Sequence, residues 1–130
     1  MAMTWQFTDE GDAESEHMLA LVMSEGAVVP PIWTYEVVNA LVVAERKQRI
    51  RAHTAAPIYA ALTELPISID DRPVDGFGLI ELARRLGLTT YDAAYLELAS
   101  RTGVGLATRD RRLAAGASRV GVSVVGMPAP

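Results

Sequence analysis

Val104-Gly105-Leu106-Ala107-Thr108-Arg109-Asp110-Arg111-Arg112-Leu113-Ala114-Ala115-Gly116 is the stretch on which the fold turns. Val104 to Ala107 is a short apolar run of the kind found in strands buried on both faces, and Arg109 to Ala115 reads as a short helix stopped by Gly116. Asp110 therefore stands just past a buried strand, where a carboxylate can cap the first amides of the following helix. A strand that runs straight into a helix is the repeating unit of a parallel sheet.

The rest of the chain repeats that unit. Downstream, Val122 to Val125 is a last strand before a Pro-rich tail. Upstream, Thr89 or Thr90 caps a helix running to about Arg101, and Phe77 to Leu86 is a helix ended by Gly87. Asp70 to Asp75 is a polar connection, Ile67 to Ile69 a strand, and Arg51 to Glu64 a helix with Pro57 marking its start or a kink. Pro30-Pro31 opens the longest helix, Ile32 to Gln48, after the strand Ala27 to Val29. Asp12 to Ser24 is an amphipathic helix with Met18, Leu19, Leu21 and Val22 on its apolar side and Gly26 as its stop. The pattern predicts a three-layer α/β/α fold whose mostly parallel sheet has four or five strands, with ligands held beyond their carboxyl ends. Four strands can be read, and the chain opens in helix-like sequence, so the first strand is expected to be missing.

The 130 residues suit one compact domain, residues 1-130, that can bury a core unaided. Cys is absent, which excludes disulfides, thiolate metal sites and cysteine nucleophiles and suits a reducing cytoplasm. No apolar run approaches the roughly 18 residues of a membrane span, and Met1 to Glu10 lacks the form of a signal peptide. A hydrophobic fraction of 50% implies that a partner covers some apolar surface. The net charge of -4 does not mark a nucleic-acid binder, but the charge is unevenly distributed. Arg46, Lys47, Arg49 and Arg51 form one basic cluster; Arg109, Arg111 and Arg112 form another beside Asp110. Solvated helix ends explain either cluster equally well.

Acids in awkward places carry the functional argument. Glu36 shares a helix face with Trp33, Val37, Ala40, Leu41 and Ala44, where an ionised carboxylate needs a cation or donors. It can instead lie at the edge of that stripe near the positive helix end, and Asn39 is three residues on. Asp92 opens a helix among Tyr91, Ala94, Tyr95 and Leu96, where first-turn amides give it an ordinary reason to be present. Convergence of Glu36, Asp92 and Asp110 at one rim would demand a divalent cation, and oxygen ligands suit Mg²⁺ or Mn²⁺.

Essentially end to end, and most specifically at three places, the chain resembles the PIN-domain family, in particular the VapC-type ribonuclease toxins of toxin-antitoxin pairs. They are Tyr35-Glu36-Val37-Val38-Asn39-Ala40-Leu41, Leu88-Thr89-Thr90-Tyr91-Asp92-Ala93-Ala94-Tyr95 and Ala107-Thr108-Arg109-Asp110-Arg111-Arg112-Leu113. The resemblance implies a PIN-like fold, Mg²⁺ or Mn²⁺ held by Glu36, Asp92 and Asp110, hydrolysis of RNA, a protein antitoxin and a homodimer. It makes Thr108 an accessory ligand through water and Arg109, Arg111 and Arg112 contacts to RNA phosphates; Asn39, three residues after Glu36, is accessory by its position on the helix. The family begins with a strand ending in an acid, and here that acid is absent. Asp9 and Glu10 belong to a later loop and are poor substitutes. The expectation is a start placed inside a longer natural chain, and weak or no cleavage by the chain as given.

Two other functions compete. One is a catalytically impaired module that keeps antitoxin binding and dimerisation; the other is a receiver-like signalling domain, which gives no reason for Glu36 on a helix stripe. His17 and His53 read as surface groups, and Trp5, Trp33, Tyr91 and Tyr95 as core or interface anchors.

Overall fold

The computed structural model describes residues 1–4 and 13–125, and side chains within the first helix from residue 16. Trp5, Asp9, Glu10 and the Pro-rich tail lie outside the described residues. In chain order the elements are β1 (Ala2–Met3), α1 (Ala13–Glu25), β2 (Ala27–Val29), α2 (Ile32–Arg46), α3 (Ala55–Thr63), β3 (Ile67–Ile69), α4 (Gly76–Leu86), α5 (Thr90–Thr102), β4 (Leu106–Ala107), α6 (Arg111–Arg119) and β5 (Val124–Val125). The five strands form one parallel sheet in the order β3-β2-β1-β4-β5.

The expectation of a missing first strand is therefore corrected. Ala2 and Met3 lie in the centre of the sheet, Ala2 facing Val28 on one side and both residues facing Leu106 and Ala107 on the other. The Ala2 amide donates to the Gly105 carbonyl at 2.9 Å and the Thr4 amide to the Ala107 carbonyl at 3.0 Å. Small and apolar side chains at positions 2 and 3 are what a strand covered on both faces requires. The neighbouring strands are joined through β1, not left with open edges.

Two apolar clusters lie on the two faces of this sheet, because successive strand side chains point to opposite sides. Ala2 and its partner Leu106 belong to the larger cluster, with Val37 and Leu41 of α2, Tyr95 and Leu96 of α5, and Leu113 and Ala117 of α6. Met3 and its partner Ala107 belong to the smaller, with Ala27 and Val22 of α1. Helices thus cover both faces, giving the expected layered α/β arrangement.

The predicted punctuation largely holds. Gly87 closes α4 in the left-handed conformation at φ 66°, which only glycine adopts without strain, and the Thr89 hydroxyl accepts from the Asp92 amide to open α5. Gly116 does not stop α6, which runs through it to Arg119. It is buried against Leu86 and Leu88, where a Cβ would make only ordinary contacts at 3.4 and 3.5 Å, so neither a helix stop nor a close approach requires glycine there. Tyr91, expected to be an anchor, is 60% exposed, whereas Trp33 is buried as anticipated. His17 and His53 are both exposed.

Candidate metal and nucleic-acid site

In the order β3-β2-β1-β4-β5 the chain runs outward from β1 through β2 to β3 and then returns to the other side of β1. The connections leaving β1 and β4 therefore diverge at their carboxyl ends, the place where open parallel sheets bind ligands. Thr4 follows β1 there and Thr108 follows β4. The Thr4 hydroxyl donates to Thr108 Oγ1 at 3.0 Å, and the same oxygen accepts from the Asp110 amide at 3.1 Å. Thr108 is 1% exposed, so its hydroxyl is a buried polar clasp between the two strand ends.

Each candidate acid reaches this edge by the helix that carries it. Helix α6 begins directly after β4, and its N-cap is Asp110, whose Oδ1 accepts from the Leu113 amide at 3.0 Å. Helix α5 runs back toward the start of β4, so its first turn, with Asp92, lies at the carboxyl edge. Helix α2 leaves the end of β2, placing Glu36 near the same edge. Trp33, Val37, Leu41 and Ala44 form the buried face of α2, and Glu36 is exposed at its margin. Of the two readings of Glu36, the stripe-edge position is the one found. One of its oxygens nevertheless meets the core, because the buried Tyr95 hydroxyl donates to Glu36 Oε1 at 2.5 Å.

The charges feel one another. Burial raises the Asp92 carboxyl above its usual range, the nearby Asp110 charge raises it further, and the Thr89 hydroxyl partly offsets both. Burial, then the bond to Glu36 and the charges of Glu36 and Asp92, push the Tyr95 phenol far up, so it keeps its proton and remains a donor. Among the described residues no three acidic or histidine side chains surround a single point closely enough to hold an ion. The arrangement is a repelling Asp92–Asp110 pair, with Glu36 held to Tyr95. A pair of carboxylates whose repulsion a cation would relieve fits a hard ion that keeps much of its water, as Mg²⁺ does.

Other expected residues divide by position. Arg111 and Arg112 are exposed in the first turn of α6, at the same edge as Asp110, and Arg109 is half-buried just before them. Asn39 lines an outer groove on α2 with Tyr35, Val38 and Arg46, away from the acid pair. The cluster Arg46, Lys47, Arg49 and Arg51 follows the far end of α2, at the amino edge of the sheet, and does not serve this rim. Asp70, a further acid past the end of β3, is bound by Arg101 at 2.6 Å, which also pairs with Glu97 at 2.7 Å. Sequence reading missed the Tyr95–Glu36 link; the available signal was the position of Tyr95 three residues after Asp92, on the same helix face.

No helix among the described residues is long and apolar enough to cross a membrane. No curated protein matches the chain. Among solved structures, PAE2754 from Pyrobaculum aerophilum superposes with a TM-score of 0.68 at 24% identity, covering 86% of this chain and 80% of that one, a likeness of fold. The family profile of the PIN domain matches residues 3–118, from the central strand to the last helix. With nearly the whole layered sheet and all three candidate acids inside that match, the chain belongs to the PIN-domain family.

Proposed function

We propose that this chain is a Mg²⁺- or Mn²⁺-dependent endoribonuclease, the toxin half of a toxin-antitoxin pair, acting in the cytoplasm as a homodimer on RNA phosphodiester bonds. PIN domains are nuclease-type folds that typically use divalent ions, and the observation that carries the finer reading is the placement of Asp92, in the first turn of α5, and Asp110, at the N-cap of α6, at the switch point of the sheet, near enough for the Asp110 charge to act on Asp92. Asp92 and Asp110 would hold the cation, with Glu36 as a third ligand and Thr108 contributing through water. The bound ion would supply Lewis acidity, activating water and steadying the leaving oxygen. Arg111 and Arg112 of α6, with Arg109, would position a backbone phosphate by charge. Arg111→Ala with Arg112→Ala should weaken RNA binding across sequences and lower the slope of log affinity against log salt by about 0.7 for each phosphate that the variant no longer neutralises. An unchanged slope in filter binding would remove these residues from the interface.

A second reading is favoured by a specific observation: the residue after β1 is Thr4, not an acid, and no three-acid cluster forms among the described residues. In that reading the chain is an impaired module that retains antitoxin binding and dimerisation, for which the exposed Tyr35 and Val38 on α2 offer apolar surface. Thr4→Asp separates the two. A carboxylate there should tighten Mn²⁺ binding by about tenfold, equivalent to roughly 1.4 kcal/mol, and raise metal-dependent cleavage of single-stranded RNA. Calorimetry on both proteins, with cleavage measured with and without chelator, is the test. Binding and cleavage by the parent support the nuclease; neither activity in either protein leaves the module reading.

A further inference from the structure

Tyr95 is 1% exposed and belongs to the main core cluster, where a phenylalanine would fill the same space. Its hydroxyl adds one polar atom to an apolar site, and such an atom stays buried only with a partner. That partner is Glu36, 59 positions earlier in sequence and on another helix. The contact therefore costs α5 a buried hydroxyl and gives α2 a fixed carboxylate.

The geometry of α5 makes the contact relevant to the acids. Tyr95 lies three residues after Asp92, on the same face one turn along. Ala93, Leu96, Leu98 and Ala99 are all buried, so the helix that carries both side chains is clamped in the core. Glu36 has no such clamp of its own: it is exposed on α2, and a glutamate left to solvent samples several rotamers.

We propose that Tyr95 is a positioning residue which holds Glu36 Oε1 from inside the core, fixing the carboxylate of α2 relative to Asp92 of α5 and leaving Oε2 to meet a cation or its water. This rests on the metal-site reading above for its consequence, but the brace itself does not require a metal. Hydrogen-bond partners that orient ligating carboxylates are a recurring part of metal sites.

Two measurements on the full chain test it, with Tyr95→Phe keeping the ring and Glu36→Gln identifying the Glu36 signal. In metal-free protein carrying ¹³C-labelled glutamate, Tyr95→Phe should shift the Glu36 carboxyl resonance while the other glutamates stay in place. In calorimetry, Tyr95→Phe should lower Mn²⁺ affinity by about 10–100-fold, and by nothing further once Glu36→Gln is present. An unmoved Glu36 resonance, or an equal affinity loss in both backgrounds, overturns the proposal and leaves Tyr95 a packing residue. A resonance that moves in a chain that takes up no Mn²⁺ upholds the brace and instead overturns the nuclease reading.

Discussion

Asp92→Asn is expected to reduce Mn²⁺ affinity and RNA cleavage by more than about a hundredfold, beyond the range seen when only an orienting partner of a ligand is removed, while making the metal-free protein more stable at pH 7. The first effect follows from removing one of the two carboxylates whose charges act on each other at the sheet edge. The second follows from the sign of the Asp92 shift. In the folded chain burial and Asp110 hold this carboxyl above its ordinary value of 3.8, whereas in the unfolded chain neither acts. Its ionised form is therefore a penalty on folding, fully present above the folded value and relieved as the pH falls through it toward 3.8. Asn carries no such charge, so the stability advantage of the variant should shrink on acidification. Urea unfolding at several pH values, beside calorimetry, would show a site that is optimised against the fold. A variant less stable than its parent at pH 7 would mean that Asp92 serves the helix start instead.

Leu106→Ala is expected to cost about 3 kcal/mol of folding stability, within the range for deleting a fully buried leucine. Leu106 is 0% exposed, pairs with Ala2 in the sheet, and packs in the cluster that includes Tyr95 and Leu113. Truncating it opens a void under β4, the strand that leads to Thr108 and Asp110. Leu19→Ala, on the exposed side of α1, should stay within about 0.5 kcal/mol and serves as the control. A loss under about 1 kcal/mol at Leu106 would show that the void collapses or that β4 is not central.

What the sequence made legible was local. Gly87 and Thr89 announced a helix end and a helix start because their signals act within a turn, and the long apolar stripe of α2 announced its buried face. β1 escaped because two residues are too few to show a period. Its identity as a strand comes from Val28, Leu106 and Ala107, which no window around residue 2 contains. Gly116 fails as a stop for a related reason: a glycine ends a helix only where the chain leaves it, and here α6 continues to Arg119 with Gly116 buried beside Leu86 and Leu88. Glu36 looked buried because its helical angle is at the margin of the stripe. Whether a side chain at that margin meets solvent or core depends on what stands opposite, and what stands opposite is the hydroxyl of Tyr95. Burial of Tyr95 could be anticipated from residue type; its hydrogen-bond partner could not.

The central place of β1 also sets an order of events during synthesis. Ala2 pairs with Leu106 and Met3 with Ala107, a closure across most of the chain, and contacts so distant in sequence form late and slowly. At roughly 5–20 residues per second, β1 would wait about 5–20 s on the ribosome before β4 has been made. During that interval β2 and β3 can associate with it, but the hydroxyl clasp between Thr4 and Thr108 has no second half. A ribosome-bound fragment ending before Leu106 should therefore present one side of the sheet without the rim, and the edge that carries Thr108 and Asp110 is assembled only once β4 has closed on β1.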